Sequence, residues 1–313
     1  MTATMDAARG TGPATAKVAG ALGTVYVVWG STYLAIRLMV EDMPPLVGAG
    51  LRFLAAGTLV GAALLVRHGL RALAVTRREL LGCTLIGLLL PAGGQGLVAI
   101  GENGGAPSGI TALLIATVPL WVVCLRVLAR ERPPRRTCVG VIAGFTGVAA
   151  LIAAHGLGDA FPAWAMAVIV LAGLSWALGT WIQPRLRLPK DPFVLVCYEM
   201  LTGGAALALI GLSSGERFDP AAYSAGSWAA WAYLVLFGSI FALSAYAWLL
   251  QHVSVSLVAT YAYVNPLVAV LLGWLLLGEP LGPFTVLGGL VVIGSAAAVI
   301  AAEHKKPIER TTT

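Results

Sequence analysis

Two residues stand out because their chemistry conflicts with their surroundings. Arg52 sits in Leu51-Arg52-Phe53-Leu54-Ala55-Ala56, and Glu199 sits in Val196-Cys197-Tyr198-Glu199-Met200-Leu201, both otherwise apolar or neutral. At the centre of a membrane helix each charge costs about 2.5–3.5 kcal/mol on insertion scales, so both are expected to face a protein interior. Arg52 can recognise an anionic group of a solute, or anchor carbonyls or a carboxylate structurally. Glu199 is the one carboxylate expected well inside an apolar run. It can exchange a proton, meet a cationic solute, or hydrogen-bond a neighbouring helix.

Around these charges lies a set of aromatic and amide residues at helical spacing. Tyr26, Trp29, Tyr33 and Arg37 recur at i, i+3, i+7 and i+11 and share one helix face. Arg37 is expected to pair with Glu41, one turn on. Pro91, Gln95 and Glu102 align in the same way, as do Trp176, Thr180 and Gln183, and Ser244, Trp248 and Gln251, with Tyr246 to the side. Tyr261 and Asn265 precede Pro266, whose missing N–H leaves a gap in the hydrogen-bond ladder. Trp29, Tyr33, Gln95, Trp176, Tyr246, Trp248, Tyr261, Tyr263 and Asn265 are therefore candidates for a solute pathway. Aromatic walls with scattered amides suit an amphipathic small molecule better than a bare ion. The competing readings are interfacial anchoring for the rings and inter-helix hydrogen bonding for the amides.

Other chemistries find little support. Gly156-Leu157-Gly158-Asp159 matches the GxGD pattern of membrane aspartyl proteases, but no second Asp falls within an apolar run to share a proton with it. Walker A and HExxH patterns are absent. An intramembrane enzyme or a non-transporting membrane scaffold is the alternative to a carrier. Cys83, Cys124, Cys138 and Cys197 form no CxxC and read as soft packing residues, so neither a metal site nor a cofactor is expected.

Positioning such residues requires membrane helices. Of the 313 residues 58% are hydrophobic and only 11% charged, against about 25% charged in soluble chains. With a mean hydropathy of +0.87, too few polar side chains remain to cover a water-facing surface. A span needs about 20 mostly apolar residues, and ten such stretches are predicted: 18–40, 45–66, 79–101, 107–129, 137–154, 162–183, 192–213, 228–250, 256–277 and 283–302. Seventeen of the twenty Lys and Arg fall in the even-numbered connections, near them, or in the tails, leaving Arg37, Arg52 and Arg217 elsewhere. The positive-inside rule then places both termini in the cytoplasm of a plasma (inner) membrane protein. The basic balance reports topology and contact with anionic lipid rather than nucleic acid.

Shifting the chain by 147 residues superposes Trp29 on Trp176, Pro45 on Pro192, Gly57 on Gly204 and Pro119 on Pro266, without a gap. It also superposes Arg52 on Glu199. Five spans per repeat is an odd number, so the second repeat must sit inverted, the arrangement of alternating-access carriers. The fold expected is all-α and polytopic, ten transmembrane helices in two inverted five-helix repeats. The tails are 1–17 and 303–313, and the repeats 18–154 and 162–302. Gly57-xxx-Gly61 and Gly140-xxx-Gly144 allow close helix approach. Spans 5 and 10, poor in polar residues, are expected to be peripheral scaffold and a candidate surface for homodimerisation.

Trp29-Gly30-Ser31-Thr32-Tyr33, Pro44-Pro45 and Leu51-Arg52-Phe53-Leu54-Ala55-Ala56-Gly57 together resemble the start of an EamA repeat. That repeat defines the ten-helix branch of the drug/metabolite transporter (DMT) superfamily. Ala259-Thr260-Tyr261-Ala262-Tyr263-Val264-Asn265-Pro266 with Gly278-Glu279-Pro280 resembles its ninth helix and following turn. With Pro107-Ser108-Gly109 and Glu199-Met200-Leu201, the similarity is greatest to the bacterial YedA-like exporter group. The resemblance spans about Val18 to Ala302. It implies a plasma-membrane metabolite or drug exporter whose cavity is lined by spans 1, 3, 6, 8 and 9, with a small-molecule solute and protons as a candidate coupling ion. The four-helix multidrug relatives carry an essential Glu in their first helix. Span 1 here has none, so that proton-antiport mechanism does not carry over.

Overall fold

The computed structural model describes residues 13–156, 162–253, 258 and 260–304; for 13–15, 151–156, 251, 263, 300 and 302–304 it describes the backbone alone. Asp159, Arg9, Lys305, Lys306 and Arg310 lie outside the described residues.

Ten long helices run through the described residues, one for each predicted span. They are α1 (Pro13–Met39), α2 (Pro45–His68), α3 (Arg77–Asn103), α4 (Ser108–Leu128), α5 (Arg135–Gly156), α6 (Ala163–Ile182), α7 (Pro192–Ser213), α8 (Ala225–Leu250), α9 (Tyr261–Leu277) and α10 (Pro283–His304). Seven of them are long and apolar enough to cross a membrane, and Val264–Leu277 and Pro283–Val299 are shorter apolar stretches. Large apolar side chains such as Val27, Leu59, Leu209, Phe241 and Leu290 point outward and exposed. Water would penalise such a surface and lipid does not.

Local sequence explains where several helices begin. Thr76 and Glu79 form a reciprocal capping box at the start of α3, and Asp191 accepts from the Phe193 N–H at the start of α7. Pro45 and Pro192 occupy first-turn positions, where no N–H is needed.

Repeat-equivalent helices pack as pairs, α2 against α7 and α5 against α10, as a pseudo-twofold axis requires. At the first crossing the backbones nearly touch: a Cβ on Gly204 would lie 2.8 Å from Gly50 O and Leu54 N. Gly57 faces Leu201 of α7, and Gly140 faces Val299 of α10, so both small-residue motifs serve inter-helix approach within the chain. Two further features are shared by the repeats. Leu88–Gly96 in α3 and Leu234–Phe241 in α8 are π-helical, and they overlap under the 147-residue shift. π turns are rare and concentrate at functional sites.

Candidate functional site

Four of the predicted rings meet at the centre of the bundle. Trp29 (α1) lies 5.5 Å from Trp176 (α6), 4.9 Å from Tyr246 (α8) and 5.3 Å from Tyr261 (α9), centroid to centroid. Tyr246 and Tyr261 are 5.9 Å apart, and all four rings are buried. Three of these four pairs are edge-to-face, a favourable aromatic geometry, and Trp29–Tyr246 is tilted at 44°. The Trp29 indole N–H donates to the Gly238 carbonyl inside the π segment of α8, at 3.2 Å. Its repeat mate Trp176 has no such carbonyl; its indole N–H faces the Tyr246 and Tyr261 hydroxyls without closing a bond of full geometry.

On one side of this cluster opens a cavity of about 310 Å³ between α4, α6, α8 and α9, with Tyr246 and Tyr261 in its wall. Val118, Val122, Val123 and Leu250 make it largely apolar, and Thr180 and Trp181 also line it. Arg126, Glu131 and Arg185 stand at its basic end; Arg126 Nε donates to Glu131 at 2.6 Å, and Arg185 Nη2 lies 3.7 Å from the same carboxylate. On the other side of the cluster the space shrinks to crevices of about 20 and 10 Å³, each room for one water. Tyr33 and Gln95 line the first, and Arg52, Gln95 and Pro91 the second, with Trp29 and Trp176 in both.

Arg52 is buried at the second crevice without a carboxylate partner. Its Nε donates to Ser239 Oγ at 3.0 Å, and its guanidinium lies 4.6 Å from the Phe53 ring centroid. Glu199 is buried with Oε1 unpaired, within electrostatic reach of Cys83 and Tyr246. The two repeat-equivalent charges therefore face the interior separately and form no direct pair.

Other expectations turn out differently. Trp248 stands apart from the ring cluster, stacked on His252 at 4.2 Å and lining a groove with Lys17 and Asp191. Asn265 is buried, and with its amide nitrogen as donor it reaches Tyr26 O at 3.1 Å and Tyr261 O at 3.3 Å, tying α9 to α1. The Tyr263 side chain lies outside the described residues. Arg37 bonds the Glu102 carbonyl at 3.0 Å rather than Glu41, because its helix packs beside the end of α3. Glu199 is not alone: Glu102 is wholly buried with both carboxyl oxygens unpaired. Its seven-residue spacing from Gln95 was the available signal, whereas nothing in the sequence marks Ser239.

The far end of the bundle is stitched shut. Glu279 accepts from Ser108 N (2.7 Å), Ser108 Oγ (2.9 Å) and Gly109 N (3.1 Å) at the start of α4. Glu216 accepts from Val47 N at 2.7 Å and Leu46 N at 3.2 Å at the start of α2. Asp42 accepts from Ser224 N at 3.0 Å and Ser227 Oγ at 2.8 Å, and Trp231 donates to Gly48 O at 3.1 Å.

Comparison with known proteins matches residues 18–153 and 163–301 to the EamA-like transporter family. The chain is 40% identical over 289 residues to the uncharacterized inner membrane transporter YedA of Escherichia coli (strain K12), covering 92% of each. It is 23% identical over 273 residues to the uncharacterized transporter YoaV of Bacillus subtilis (strain 168), covering 86% of this chain and 91% of the relative. A protein crystal structure superposes with a TM-score of 0.64 at 20% identity, covering 93% of this chain and 99% of that one, a likeness of fold.

Proposed function

The chain belongs to the EamA-like transporter family, with both of its halves matched, and on that premise we propose a carrier that alternates access between its two ends and exports small amphipathic metabolites or drugs. The chain is a membrane transporter; substrate class, direction and mechanism are the proposal. One observation carries it: a solute-sized, aromatic-walled cavity open toward the basic end, with the ring cluster and a polar-stitched end beyond it. A path open at one end and sealed at the other is one state of an alternating-access cycle.

In this reading Trp29, Trp176, Tyr246 and Tyr261 form the movable floor on which a solute rests. Tyr33, Gln95 and Arg52 wait beyond it and meet the solute when the stitched end opens. Arg52 has no carboxylate partner and so can attract an anionic group, while Glu199, buried with Oε1 unpaired and within electrostatic reach of Tyr246, can take a proton or a cationic group. With the basic end cytoplasmic, both termini are cytoplasmic and the cavity faces inward, as loading for export requires.

Purified protein in proteoliposomes, assayed with a panel of labelled amino acids and amphipathic drugs, tests this. Saturable flux above empty liposomes is expected for at least one solute. Trp176→Ala should lower that flux about tenfold, on the scale of one or two aromatic contacts at about 0.5–1.5 kcal/mol each. Absence of flux across the whole panel would overturn the carrier reading.

A further inference from the structure

The stitched end contains a buried group that none of its stitches uses. Glu102 ends α3 with no exposed surface, and neither carboxyl oxygen has a donor. Thr111, in the first turns of α4, is equally buried; its hydroxyl is drawn to that carboxyl as a hydrogen-bond donor without reaching the geometry of a closed bond. One hydroxyl can meet only one of the two carboxyl oxygens, and the other, fully buried, calls for a partner that completes it.

The surrounding charges supply none. From α1, Arg37 attracts the carboxyl electrostatically, yet its Nη1 is bonded to the Glu102 carbonyl. Tyr33, also from α1, is within electrostatic reach. Glu279, from the turn after α9, adds a second carboxyl, whose oxygens already hold Ser108 and Gly109. From α6 the neighbour is apolar: Ile169 packs on Gly101. A carboxylate left bare here would be a buried unpaired anion beside another anion, which proteins avoid by pairing or neutralising it. Three hard oxygens suit a small hard cation.

We propose that Glu102, with Thr111, binds a monovalent coupling cation, a proton or Na⁺, while this end is closed. Bound cation neutralises Glu102 and lets the start of α4 seat against α3 under Glu279. Opening of this end exposes Glu102 to water and releases the cation. The proposal rests on the carrier reading, because coupling has meaning only for a transporter, and it is tested without solute flux.

Detergent-purified wild type, Glu102→Gln, Glu102→Asp, Thr111→Val and Glu199→Gln are compared by equilibrium binding of ²²Na⁺ and by potentiometric proton titration. If the cation is Na⁺, wild type binds it saturably, Glu102→Gln abolishes binding and Thr111→Val weakens it about tenfold. If it is a proton, Glu102→Gln lacks one titrating equivalent that Glu102→Asp retains, and Glu199→Gln lacks a different one. Wild-type Na⁺ binding and a wild-type titration curve in a folded Glu102→Gln protein would overturn the proposal. A silent solute panel with these signals intact would instead sink the carrier reading alone.

Discussion

Asp42 is the clearest single-residue lever because it lies outside the spanning helices. Hydrogen bonds from Ser224 and Ser227 favour its charged form and hold its carboxyl below the ordinary value. A depressed folded-state value means the tie contributes stability above the unfolded value and loses it as pH falls through the folded one. Thermal unfolding in detergent should therefore show an acid-side loss that Asp42→Asn flattens; an unchanged acid limb in the variant would remove Asp42 from that role. At this scale the sequence was most legible where type and location clashed. Arg52 and Glu199 were marked by apolar neighbours alone, and both are buried. Glu102 escaped because it ends its span, where a carboxylate reads as solvated. What buries it comes from α1, α4 and α6, and long-range packing leaves no local trace.

Among elements, the α2–α7 crossing depends on the absence of side chains at Gly50 and Gly204. Gly204→Ala would press a methyl to 2.8 Å from Gly50 O and Leu54 N, and backbone cannot step aside as a flexible side chain can. A loss of about 1–3 kcal/mol is expected, read as a lower melting temperature. Gly294→Ala in α10, where a Cβ would meet nothing within 4 Å, should be neutral or stabilise by up to about 1 kcal/mol through helix propensity. Equal effects in the two variants would contradict the crossing as described. Span positions followed from apolar run length, and all ten match helices. The π segments did not, because no residue type marks i→i+5 bonding; carbonyls within them are met instead by side chains from other helices, Leu89 O by Ser175 and Gly238 O by Trp29.

At the scale of the molecule, the repeats are alike in sequence and unlike in their contacts. Arg130, one residue past the Ala129 cap of α4, and Gly278, the cap of α9, both stand at φ 65°, each followed by a carboxylate, Glu131 or Glu279. Glu279 grips the start of α4, while Glu131 holds Arg126 and Arg185 at the mouth of the cavity. Trp29 has its carbonyl and Trp176 lacks one. Corresponding ends of the two repeats thus carry different ties in this structure. Glu279→Ala should loosen the sealed end and raise amide hydrogen exchange across Ser108–Ile115, with little change in α5. Unaltered exchange there would mean that the Glu279 contacts do not hold the end closed. What the sequence offers on orientation is the gathering of basic residues on one side, and on inversion the odd number of spans per repeat. Which end is tied shut left no local signal, because long-range contacts such as those of Glu279 set it.

The paired π segments also bear on how this chain tolerates changes in length. A π turn accommodates about one residue more than the α turn it replaces. One residue deleted from Leu88–Gly96, or from Leu234–Phe241, can therefore be absorbed by conversion to ordinary helix. The turn gives up the residue it holds in excess, so the side chains beyond the deletion keep their faces. Glu102 then stays beside Thr111, and Tyr246 stays in the ring cluster. The chain thus holds two sites where a single-codon deletion leaves the interior intact, whereas the same loss from an α-helical stretch turns everything beyond it by about 100°.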